Sequence, residues 1–145
     1  MYCMSSSFAT VATMCATIAL VIVAWWQIAL LRDQFTTQFE DGLTRRYAET
    51  MSPIPMRILL GNSLGDLEPT EREPCRKAIY QYLDFCNEQA FLYREGRLRR
   101  RTWKIWKDGI LDNMKLTAFQ EVWDEVENAK NRAAGNFEFL RDLLD

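Results

Sequence analysis

From Phe8 to Leu31 the chain reads FATVATMCATIALVIVAWWQIALL, 24 residues without a charge, and the first charged side chain is that of Arg32. At about 1.5 Å per residue such a helix reaches about 36 Å, enough to cross a hydrocarbon core of about 30 Å with some tilt. The stretch predicts one transmembrane helix. It does not read as a cleaved signal peptide. MYCMSSS carries no positive side chain, the apolar run exceeds the roughly 7–15 residues of a signal core, and Trp25-Trp26-Gln27 stands where a small-residue cleavage site would.

Beyond the span the apolar positions take up helical spacing. Leu31, Phe35, Phe39, Leu43 and Tyr47 recur every four residues, which predicts a juxtamembrane helix packing on the domain or on a twin. Met51-Ser52-Pro53-Ile54-Pro55 ends it, since each proline lacks an N–H and pushes its predecessor out of helical geometry. Met56 to Leu60 predicts a short apolar turn, and Gly61-Asn62-Ser63 with Gly65-Asp66 predicts loop. Thr70-Glu71-Arg72-Glu73 fits a capping box with Pro74 in the first turn, so a helix is expected from there to Gly96. Its core face is Cys75, Ile79, Tyr82, Cys86, Ala90 and Tyr93, widened by Leu83, Phe85 and Leu92.

Thr102 is expected to cap the next helix, with Trp103, Trp106, Ile110 and Met114 as its stripe, and Thr117 with Gln120 to cap another carrying Phe119, Val122, Trp123 and Val126. Gly135-Asn136 predicts a break before a short terminal helix bearing Phe137, Leu140, Leu143 and Leu144. No stretch alternates with period two, and no repeat or low-complexity linker is present. The expected fold class is all-α, one amino-terminal transmembrane helix followed by a small cytoplasmic helical bundle. Its expected parts are an anchor at 1–31, a juxtamembrane helix at 32–50, a linker with a short helical turn at 51–73 and a helical domain at 74–145.

Charge sets the side of the membrane. The amino-terminal tail is uncharged, while Arg32, Arg45 and Arg46 follow the span, so the positive-inside rule puts the carboxyl-terminal domain in the cytoplasm of a cell with the anchor in its inner (plasma) membrane. Trp25 and Trp26 fall near the inner boundary, where indoles anchor at headgroups, with Arg32 just beyond. Cys75 and Cys86 lie eleven apart on one expected helix and cannot pair within it, as suits small apolar packing residues in a reducing compartment. Within the span Ala9, Thr13 and Thr17 recur every four residues, a small-residue face through which two copies of the helix would approach closely.

The chain has 18 basic and 20 acidic residues, a balance that argues against a general nucleic-acid binder, and no histidine, which removes the commonest general acid/base and metal ligand. Against that balance stands one basic run, Arg94, Arg97, Arg99, Arg100, Arg101, Lys104 and Lys107, with Glu95 the single acid among the first of them. Three readings fit it. It is a solvated turn paired with Glu121, Asp124, Glu125, Glu127, Glu138 and Asp142, or a surface for anionic lipid, or a site for a phosphate-bearing ligand or nucleic acid with Trp103 as a stacking face.

Trp103 and Trp106 otherwise read as core, and Asp84 with Glu88, and Asp108 with Asp112, as exposed helix faces rather than acid/base or metal pairs. No phosphate loop, paired-cysteine metal pattern or nucleophile elbow occurs. The sequence therefore gives no catalytic residue, no metal ligand and no cofactor, and predicts a protein that is not an enzyme.

YLDFCNEQAFLYREG, WKIWKDGI and AFQEVWDEV with a late phenylalanine, from Tyr82 to about Phe139, resemble a family of uncharacterised bacterial single-span membrane proteins with a small helical domain of unknown function. The exit AWWQI is similar to theirs. The resemblance implies a bacterial, phage or mobile-element origin and a membrane location, and is compatible with an accessory role in a membrane stress or phage-defence response. It implies no activity. Leu98-Arg99-Arg100-Arg101 stands where that family often has an acid, so the basic patch is this chain's own. The expected function is a membrane-anchored interaction module whose partners are membrane lipid, a protein, or a second copy through Ala9, Thr13 and Thr17. The runner-up is a membrane-tethered binder of a phosphate-bearing ligand or nucleic acid using Arg97 to Arg101 with Lys104.

Overall fold

A computed structural model describes residues 3–129 and 137–145, with side chains from residue 10 onward. All the described elements are helical. They are α1 (Cys3–Met51), α2 (Met56–Leu59), a 3₁₀ turn (Leu64–Asp66), α3 (Pro69–Arg94), α4 (Arg100–Asn113), α5 (Thr117–Asn128) and α6 (Glu138–Leu144). The expected break at Gly135-Asn136 lies outside the described residues. The chain forms two compact units, residues 1–39 and 40–145.

The first unit is a single stretch of helix. Nothing between Leu31 and Arg32 interrupts it, so anchor and juxtamembrane helix are one element, and Gly42 beyond it does not break α1 either. One window of α1 is long and apolar enough to cross a membrane, and none of that window is buried. Val11, Ile18, Val21, Ile22, Trp25, Trp26, Ile28 and Leu31 are all exposed. The threonines lodge their hydroxyls within the helix. Thr17 Oγ1 donates to the Thr13 carbonyl at 2.9 Å, so a polar group in the apolar stretch is satisfied without water.

The second unit is built round α3. Cys75, Ile79, Tyr82, Cys86 and Ala90 are buried along it as the spacing predicts, with Leu83, Phe85 and Leu92, while Tyr93 is only partly covered. The 3₁₀ turn, α4, α5 and α6 pack against it. Trp103 and Ile110 of α4, Met114 just past its end, Phe119, Val122 and Val126 of α5, and Phe137 and Leu140 complete the core, with Trp106, Trp123, Leu143 and Leu144 partly buried at its edge. Of the four-residue stripe on α1, Leu43 enters this core, Tyr47 is at its margin, and Leu31, Phe35 and Phe39 stay exposed. Residues 51–73 do more than connect, because Ile54, Ile58, Leu64 and Leu67 are core residues.

Helix starts differ from the sequence expectation. Pro69, not Pro74, is the first residue of α3; Glu68 precedes it without a side-chain cap, and Pro74 lies inside the helix. The Thr70 capping box therefore does not form. α4 starts at Arg100, two residues before Thr102, and α5 starts with Thr117 inside it after Leu116. The capping box that does form is Ser63 with Asp66 on the 3₁₀ turn. Ser63 Oγ accepts the Gly65 N–H at 3.1 Å and Asp66 Oδ2 the Ser63 N–H at 2.9 Å.

The α3 stop at Gly96 falls where expected. Gly96 has φ +69°, its N–H donates to the Tyr93 carbonyl and that of Arg97 to the Leu92 carbonyl, both at 2.9 Å, which is a Schellman closure. α2 closes the same way through Gly61 at φ +103°, with Asn62 N–H on the Arg57 carbonyl.

Candidate functional site

The Schellman turn at Gly96 reverses the chain between α3 and α4 and so carries the basic run on its outside. Leu98 is buried and pins the turn to the core, while Arg97, Arg99, Arg100, Arg101 and Lys104 are exposed. Two of the seven cations are tied down. Arg94 contacts Asp142 at 3.1 Å and lies over the Phe139 ring, and the Arg99 guanidinium is 3.9 Å from Glu40. Arg97, Arg100, Arg101, Lys104 and Lys107 form no ion pair among the described residues.

Three of the six acids expected to neutralise the run are engaged elsewhere. Glu121 accepts the Leu64 N–H at 3.0 Å, Glu125 faces Arg76 at 3.3 Å and Glu127 pairs with Arg141 at 2.7 Å. Only the Arg94–Asp142 contact, of the described pairs, follows that expectation. Trp103 is also unlike the stacking face envisaged for a nucleic acid. It is buried, and its ring is stacked on Tyr93 at 4.8 Å and 12°.

The carboxylate pairs do not converge. Glu88 pairs with Arg46 at 2.7 Å and Asp112 with Lys115 at 2.7 Å, while Asp84 and Asp108 are exposed. Among the described residues no group of three His, Cys, Asp or Glu is placed to hold a metal ion. Cys75 and Cys86 are both free and buried. Burial pushes both thiols up, Cys86 to about 12 against an ordinary 9, and its hydrogen bond with Tyr82 works the other way. A thiol held neutral in this way is a poor nucleophile.

In the apolar stretch Trp25, Trp26 and Arg32 are exposed. Thr13 and Thr17 lie on one face and share a shallow depression with Thr10, Met14 and Ile18; the side chain of Ala9 lies outside the described residues.

One feature of the second unit escaped the sequence reading. A cavity of about 310 Å³ lies between the end of α1, α3 and α4. Its wall is aromatic, with Tyr47, Tyr82, Phe85 and Trp106, and Ile105 and Gly109 belong to the α4 side. Gln89 of α3 also lines it. That side chain is fully buried, and neither its amide oxygen nor its amide nitrogen has a hydrogen-bond partner among the described residues. An unsatisfied buried amide costs about 1–3 kcal/mol. The sequence did hold a signal for it. Gln89 follows Tyr82 and Cys86 at helical spacing on the buried face of α3, where a polar residue is out of place.

No family model, no curated protein and no solved structure matches the chain.

Proposed function

We propose that this protein is a single-pass, membrane-anchored helical interaction module of a bacterial plasma membrane, with residues 40–145 in the cytoplasm. One observation carries the reading: the most apolar stretch of α1 is wholly uncovered by the rest of the chain. The core helix of a soluble protein would be buried, and 24 uncharged residues left bare in water would be a large exposed apolar surface of the kind that marks a membrane or partner contact. Continuation of the same helix to Met51, with Leu43 in the core of the second unit, supports retention of the anchor in the working protein. Function then consists of placement and contact rather than chemistry. A carboxyl-terminal reporter tests the side. A fusion to a fluorescent protein that matures only in the cytoplasm should glow, and a fusion to alkaline phosphatase should be inactive; the opposite pair of outcomes contradicts the reading.

The basic turn would orient the helical unit at the leaflet. Four exposed cations without carboxylate partners among the described residues, Arg97, Arg100, Arg101 and Lys104, suit an anionic surface, at about 1 kcal/mol for each one near it. With the full chain in nanodiscs, trypsin cleavage at Arg97 to Arg101 should be slower in anionic than in neutral lipid, and the difference should vanish at high salt. Equal cleavage in both lipids at low salt removes lipid docking from the account.

A further inference from the structure

We propose that the cavity between α1, α3 and α4 is a binding site for a small flat heterocycle that carries a hydrogen-bond donor and acceptor side by side, the edge presented by a nucleobase or a ring carboxamide. Three independent observations meet there. The first is the space itself, about 310 Å³ with four aromatic side chains in its wall, at the small end of the range for ligand pockets and so suited to one or two fused rings.

The second is Gln89. Its amide has both a C=O acceptor and an NH₂ donor buried and unpartnered at the cavity. A planar carboxamide pairs in bidentate fashion with an adjacent N–H and acceptor, as glutamine does with adenine. Two other polar groups of the wall are already committed. Tyr82 Oη accepts from Asn113 Nδ2 at 2.8 Å, and Thr44 Oγ1 donates to the Glu40 carbonyl at 3.1 Å. A lone water meets Gln89 poorly, because a buried water needs two to four polar partners and this wall is chiefly apolar.

The third is Gly109, which lines the cavity from the middle of α4, where glycine is unfavourable. Nothing in the protein requires its missing side chain, since a Cβ there would meet no atom within 4 Å. Bare backbone beside an open cavity is what close approach of a ligand uses. The rings of Tyr47, Phe85 and Trp106 meet one another at tilts of 39° to 49° rather than in parallel stacks, so a flat guest does not have to displace a stack to lie against one.

The test is titration calorimetry of the full chain in nanodiscs with uracil, adenine, hypoxanthine and nicotinamide, with the change in total tryptophan emission followed in parallel. At least one probe should bind saturably. Gln89→Met, which keeps length and removes the amide, should weaken that probe by roughly tenfold or more, without lowering the melting temperature of the ligand-free protein. Gly109→Leu, on an exposed part of α4, should block the same probe while far-UV circular dichroism stays unchanged. The proposal is overturned if no probe binds at millimolar concentration, if Gln89→Met binds as well as the parent, or if Gln89→Met melts lower and none of the probes binds, as a structural amide on a trapped water requires.

Discussion

Cys86 and Gln89 sit one turn apart on the buried face of α3 and show two ways of placing a polar atom in a core. The thiol is satisfied by staying neutral; the amide has no such option and has no partner among the described residues. The Cys86 pKa has a consequence for stability. Below pH 9 the thiol keeps its proton in the folded and unfolded chain alike, and its contribution is full. As pH rises from 9 to about 12 only the unfolded chain loses the proton, so stability falls through that window. The slope for one such group is about 1.4 kcal/mol per pH unit. Tyr82, also pushed up chiefly by burial, steepens the fall above its ordinary 10. Urea denaturation at several alkaline pH values should show this decline, and Cys86→Ala should flatten its onset near pH 9. An unchanged onset in the variant would assign the decline to other groups.

At the scale of elements, the apolar periodicities were legible and the helix starts were not. The stripes on α3, α4 and α5 are where spacing puts them because burial of one face follows directly from which residues share it. Local capping motifs misled because several termini are held by side chains distant in sequence. Glu40 of α1 accepts the Arg99 N–H at the head of α4 at 3.2 Å, Glu121 of α5 that of Leu64 at 3.0 Å, and Asn87 of α3 that of Leu140 in α6 at 3.0 Å. No spacing rule reaches across 53 to 59 residues. The same distance hid the cavity, whose wall comes from three helices. The two glycine closures were more visible: Gly96 and Gly61 close their helices through contacts within six residues. Asn87→Ala should cost about 1 kcal/mol, the usual loss for a helix cap, and hydrogen exchange should speed selectively at the start of α6. A loss spread evenly over α3 to α6 would assign Asn87 a general packing role.

For the whole molecule, two units with opposite surface chemistry share one helix. Residues 40–145 bury their apolar side chains round α3 and leave charges outside, in the manner of a water-soluble bundle. Residues 10–39 do the reverse, with apolar side chains uncovered, and no charged side chain precedes Arg32. The proposed bilayer would resolve that contrast, since it would cover the first surface without covering the second. The basic turn and the aromatic cavity both belong to residues 40–145, so the proposed lipid docking and ligand binding can each be tested by mutation apart from the proposed anchoring.

Anchoring is tested most directly by extracting membranes from cells making the full chain with alkaline carbonate. The expected result is that the protein stays in the pellet and is released only by detergent, while a chain with arginines at Val21 and Val23 moves to the supernatant. Recovery of the unaltered full-length protein in the soluble fraction would contradict the account.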